Sequence, residues 1–286
     1  MRRLAAALFA LALAAGPAAA APAVWIVRDA DSEMMLMGSV HLLPPGLPWK
    51  TDALTRAIAR ADDVWFELEV SPEADREAAR LAQAQGLLPP DASLFTMLSV
   101  EDSQRLARVA RDLAVDPMAL ARLEPWLAEV ALAAGAYARS GATVGDGVEQ
   151  TLVRMLPRRV DRRALETPAE QIDAFDAAPL AEQIASLAGT LRELETDPEG
   201  YAKLIDAWMS GDPEALDREA LAPLRAAAPA AYRRLVIDRN ARWIPKLQDR
   251  LKGRGRTVVV VGAGHLVGPD GLPAQLRALG YSVTGP

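Results

Sequence analysis

The chain contains two histidines, His41 and His265, and each follows an apolar run with a glycine three residues upstream. The first segment reads Met34-Met35-Leu36-Met37-Gly38-Ser39-Val40-His41, the second Val258-Val259-Val260-Val261-Gly262-Ala263-Gly264-His265. With glycine at ~7% of positions, two histidines that both carry Gly at i−3 are a roughly 0.5% coincidence. One such segment alone reads equally well as a satisfied histidine at a strand end. The repeat at opposite ends of the chain points instead to two strand ends converging in one sheet. Paired imidazoles of that kind serve divalent metals or the activation of a hydrolytic water.

Carboxylates lie in a third apolar segment, Asp63-Val64-Trp65-Phe66-Glu67-Leu68-Glu69-Val70. Strand alternation assigns Val64, Phe66, Leu68 and Val70 to one face, and Trp65, Glu67 and Glu69 to the other. An edge strand with a solvated face would accommodate both glutamates. If the strand is buried, a metal or an arginine must neutralise them, because an unpaired buried charge is expensive.

The elements that position these groups are set by pattern and punctuation. Ala23 to Val27 and Met34 to Val40 flank the turn formers Asp29-Ala30-Asp31-Ser32 and predict a hairpin that delivers His41. Helices are predicted over Asp52–Ala61, Glu73–Gln85, Val100–Ala114, Pro117–Arg139 and Val148–Leu156, with a weak strand over Arg159–Leu165. Pro179, Pro198, Pro213 and Pro223 divide the next stretch into successive helices. The last of these, about Ala230 to Lys252, should kink just after Arg239-Asn240, because Pro245 cannot donate to Ala241. A helix over Leu272–Leu279 and a short strand over Tyr281–Thr284 close the chain.

Met1-Arg2-Arg3, an apolar run from Leu4 to Ala15 and Ala18-Ala19-Ala20 make a signal peptide cut after Ala20. Residues 1–20 are therefore expected to direct export to the periplasm or beyond, with no stable membrane anchor left after cleavage. Residues 21–286 are expected to form one domain, with helical insertions around 71–145 and 168–230. The chain has no cysteine, which removes disulfides, thiolate ligands and a cysteine nucleophile together. A net charge of −6 with no basic patch argues against nucleic acid. Gly262-x-Gly264 is not a dinucleotide fingerprint: Val267 stands where the third glycine belongs and too little chain remains after it.

Six blocks in order resemble the TraB/GumN family, whose eukaryotic relatives are the Tiki proteins. They are Gly38-Ser39-Val40-His41, Phe66-Glu67-Leu68-Glu69, Asp146-Gly147-Val148-Glu149, Leu165-Glu166-Thr167 with Gln171, Arg239-Asn240-x-x-Trp243, and Val261-Gly262-Ala263-Gly264-His265-Leu266. The resemblance spans Val24 to Val283 and implies an α/β fold, a mixed sheet flanked by many helices, related to erythromycin esterases and a haem-binding lipoprotein group. It also implies a metal-dependent hydrolase of peptide or amide bonds, with His41, Glu67 and His265 holding a divalent ion (manganese, cobalt or zinc). Ser39 stands where threonine is usual, and Glu69 and Glu149 where aspartate is expected, which leaves Glu67 as the carboxylate of the set. Around that set, Glu166 is the expected general base and Arg239 the expected oxyanion stabiliser, with Asn240 positioning substrate or ligand. For Arg239 the competing reading is a salt bridge that ties helix to sheet, and for Glu166 a charge at a helix N-terminus. Two alternatives use the same residues: a metal-independent His/Glu esterase, or a protein that binds haem or another small ligand without turnover.

Overall fold

The computed structural model describes residues 20–286, so the expected signal peptide lies almost wholly outside the described residues. Among those described, no helix is long and apolar enough to cross a membrane. A six-stranded mixed sheet forms the centre, built from β1 (Val24–Arg28), β2 (Ser32–Ser39), β3 (Asp63–Phe66), β4 (Asp161–Ala164), β5 (Gly255–Gly262) and β6 (Ser282–Thr284). The strand order is β4-β3-β5-β2-β1-β6. β2, β5, β3 and β4 run parallel, while β1 pairs antiparallel with both β2 and β6. Helices surround the sheet, which makes this an α/β fold.

The hairpin β1–β2 forms about its predicted turn, and Asp29 closes it by accepting from the Ser32 backbone and hydroxyl. β3 departs from expectation. It is an interior strand between β4 and β5, buried from Asp63 through Glu67. A parallel strand covered on both faces loses its alternation, so the solvated-edge reading of Glu67 fails and the neutralising partner becomes the question.

The predicted helix Pro117–Arg139 is divided in two, Pro117–Leu120 and Pro125–Arg139. Pro125 lacks an N–H and suits a first turn, so it restarts the helix rather than continuing one. Leu94, Leu106, Leu132, Leu187 and Leu191 join a second apolar cluster, separate from the sheet core. A π-helical stretch, Arg233–Asp238, comes immediately before the helix Arg239–Leu251, an irregularity upstream of the expected kink. Pro245 lies inside that helix. The wider π turn inserts one residue and rotates the helix beyond it, and Arg239, Asn240 and Trp243 all end buried.

Gly38 shows why this junction tolerates no side chain. A Cβ there would sit 2.8 Å from Ala263 Cα, where the turn after β5 crosses the end of β2. Gly38→Ala is expected to cost about 1–3 kcal/mol through that backbone clash, read as a lowered urea midpoint with an unchanged slope.

Candidate functional site

All four parallel strands end at one edge of the sheet, the side where α/β folds place their sites. The two Gly-x-x-His segments leave neighbouring strands almost in step, with Gly38 paired to Val261 and Ser39 to Gly262. Glu67 lies just past β3 and Glu166 just past β4, and Glu166 N–H donates to the Glu67 carbonyl at 2.9 Å. Both histidines, Glu67 and Arg239 line one cavity of about 570 Å3. A second chamber of about 220 Å3 shares His41, Glu67, Ala78 and Gln171 with it.

Arg239 is the hub. Its Nη2 reaches Glu67 Oε2 at 2.6 Å and Glu166 Oε1 at 2.5 Å, and its Nε spans both Glu166 oxygens at 3.1 and 3.2 Å. Its Nη1 meets the Leu235 carbonyl at 3.3 Å and His265 Nε2 at 3.0 Å. A guanidinium has five N–H donors, and all five are engaged. Nothing remains to meet an oxyanion, so the helix-to-sheet salt bridge describes Arg239 better than the expected oxyanion role.

Glu166 is equally committed. Its side chain is 1% exposed, and besides Arg239 it accepts from Trp243 Nε1 at 3.1 Å and Gln171 Nε2 at 3.3 Å. Buried and fully bonded, it does not reach the cavity as a general base must. Asn240, wholly buried, donates to the carbonyls of His265 at 3.2 Å and Asp270 at 2.8 Å. Its Oδ1 lies 2.8 Å from His265 Nδ1, and an amide oxygen only accepts, so Nδ1 carries the proton. Asn240 thus fixes a tautomer rather than touching a substrate.

His265 therefore has both ring nitrogens occupied: Nδ1–H by Asn240, and the Nε2 lone pair by Arg239. Burial, with Arg239 reinforcing and Glu67 opposing, pushes it down to about 3, so the ring is neutral. Burial resists ionisation of Glu67, but Arg239 and the Gly262 N–H at 2.5 Å outweigh it and hold the carboxyl at about 2.

His41 differs in every respect. Its side chain is 59% exposed, and Nδ1 lies 2.8 Å from Glu149 Oε1. The Glu149 carboxylate pushes His41 up to about 9, while burial opposes it. Among the described residues, Nε2 has no partner. The loop that carries His41 is clamped on both sides: Val148 N–H donates to the Val40 carbonyl, Leu43 and Thr143 exchange backbone bonds, and the Tyr201 hydroxyl donates to the Leu42 carbonyl. A Cβ at Gly147 would collide with the His41 carbonyl oxygen, so glycine there lets Glu149 approach. Sequence reasoning set Glu149 aside for its extra methylene, yet it is the histidine's partner. Gln171 and Trp243 were visible only as members of the matching blocks.

The expected metal set of His41, Glu67 and His265 does not fit this arrangement. A resident ion needs lone pairs that converge, but His265 Nε2 and Glu67 Oε2 both face the Arg239 guanidinium. Of this set, and among the described residues, His41 alone keeps a ring nitrogen open. Among the described residues, no group of three or more His, Cys, Asp or Glu is disposed to hold a metal.

Comparison with known proteins finds relatives that match most of the chain. Uncharacterized protein YbaP of Escherichia coli strain K12 is 24% identical over 257 residues, covering 90% of this chain and 92% of that protein. An uncharacterized protein of Treponema pallidum strain Nichols is 24% identical over 262 residues, covering 86% and 77% of the two chains. No solved structure matches. Residues 23–285 match the TraB/PrgY/gumN family over nearly the whole described chain, and the protein belongs to that family.

Proposed function

We propose that this protein is an exported hydrolase of ester or amide bonds, in which His41, held by Glu149, moves the proton. The observation that carries this reading is the open Nε2 of His41 at the wall of a cavity whose floor is otherwise fully bonded. A carboxylate at Nδ1 orients an imidazole and stabilises its protonated form. Neutral His41 accepts a proton at Nε2 as a water oxygen bonds to the substrate carbonyl carbon. The imidazolium then returns that proton to the departing alcohol or amine as the carbon–heteroatom bond breaks. Gln171 reaches its partners by two long 3.3 Å bonds and is the side-chain donor freest to turn toward the developing oxyanion. The network of Arg239, Glu67, Glu166 and His265 keeps this floor rigid and holds His41's surroundings negative.

The test uses protein dialysed against chelator and a panel of nitrophenyl esters and nitroanilides. Turnover is expected to survive chelation and to rise with pH toward about 9, where His41 becomes neutral. His41→Gln should lower kcat by about 10²–10⁴-fold while the protein stays folded. Activity lost to the chelator and restored by manganese, cobalt or zinc would overturn the reading in favour of metal chemistry. An unimpaired His41→Gln would overturn it outright.

A further inference from the structure

Beyond the main cavity lies another chamber of about 210 Å3, lined chiefly by apolar groups. The two spaces share Trp126, Val130, Phe175 and Leu235 in their walls. Trp126 and Phe175 stack there with centroids 5.9 Å apart. Arg234 lines the far chamber on the π-helical stretch that also aligns Arg239. Its Nη1 is held by Glu182 at 2.8 Å, but its Nε is buried with no acceptor. Glu129 lines the same chamber and accepts from Ser186 at 3.1 Å and Thr190 at 2.6 Å, and burial raises its pKa.

An orphaned charged donor is costly to bury, and a ligand oxygen would satisfy it. Two carboxylates, Glu129 and Glu182, face the same space, so an anionic end would be repelled. A neutral group that both accepts and donates, a hydroxyl or an amide, can take the Arg234 N–H and give its own hydrogen to Glu129.

We propose that the far chamber is a specificity pocket for an apolar substrate segment ending in a neutral hydroxyl or amide, bound by Arg234 and Glu129. The class of substrate is then an ester or amide of an apolar acyl group with an uncharged polar terminus. This rests on the hydrolase reading for its meaning in turnover, though binding to the chamber does not depend on it.

Two readouts separate the failures. Binding is measured by the fluorescence of Trp126, with Trp126→Phe as control, using decane-diol with a hydroxyl at each end, decanol and decanoate. The diol should bind most tightly, about tenfold better than decanol, with decanoate weakest. Arg234→Met should abolish the preference for the diol over decanol and leave decanol unchanged. Ala174→Phe, which fills the far chamber alone, should weaken both alcohols. Turnover is read with nitrophenyl esters: the hydroxyl-ended decanoyl ester should exceed the methyl-ended one by a similar factor, whereas the acetyl ester should be indifferent to Arg234→Met. Equal affinity for diol and decanol, or tighter decanoate, would overturn the pocket. The binding order without turnover of any ester would keep the pocket and overturn the hydrolase.

Discussion

Replacing Arg239 by methionine is expected to lower the free energy of unfolding by about 3–5 kcal/mol, the cost of breaking a buried ion pair by removing one partner. Among the described residues, the guanidinium is the one cation bonded to Glu67 and Glu166, whose side chains are 6% and 1% exposed. Without it two carboxylates remain close together in a low dielectric, and one or both must take up a proton. His265 also loses the donor at Nε2. Urea unfolding at neutral pH checks the value. The triple variant Arg239→Met, Glu67→Gln, Glu166→Gln should recover part of the loss, because removing all the charges also removes the unpaired ones. A single variant that stays within about 1 kcal/mol of wild type yet loses turnover would reverse the assignment. Arg239 would then face substrate rather than tie the helix to the sheet.

Much of this arrangement was legible in the sequence, for identifiable reasons. β5 is a run of valines and β2 a run of methionine and leucine, and their common glycine spacing pointed to a shared edge; the register Gly38 to Val261 is what converging parallel strands produce. The six blocks name residues that the fold brings together, since Glu67, Glu166, Arg239, Asn240 and His265 all meet. Their roles were not legible, because a role depends on which lone pairs and N–H groups are already used. Arg239 looks like an anion binder until its five donors are counted, and Glu166 looks like a base until its burial is known. The π-helical stretch before Arg239 also leaves no local trace. It lies upstream of the bend that Pro245 suggests, and it sets the phase of the helix that carries the arginine. Glu149 stands where aspartate is expected, yet the close packing at Gly147 and the reach of the longer side chain together put its carboxylate 2.8 Å from His41 Nδ1.

Stability is expected to peak near neutral pH and fall on both sides, because the two histidines are shifted in opposite directions. His265 drops from 6.5 to about 3 on folding. Below pH 6.5 the unfolded chain therefore binds a proton that the folded chain refuses, and stability falls with acid by up to about 1.4 kcal/mol per pH unit. His41 moves from 6.5 up to about 9. Its contribution is complete below pH 6.5 and is lost as pH rises through about 9, with a shallower slope because its half-exposed side chain is screened by solvent. Glu67, lowered from 4.5 to about 2, contributes above pH 4.5 and is lost only below it, so the interval from 6.5 to 4.5 reports on His265. With two histidines and no cysteine in the chain, the limbs can be assigned by substitution. Urea titrations across pH 4.5 to 9.5 should show the acid limb vanish in His265→Gln and the alkaline limb vanish in His41→Gln. If His265→Gln keeps the acid limb, the ring is not held neutral by Asn240 and Arg239. Its Nε2 would then be free for other chemistry, the metal ligation that the resemblance implies included.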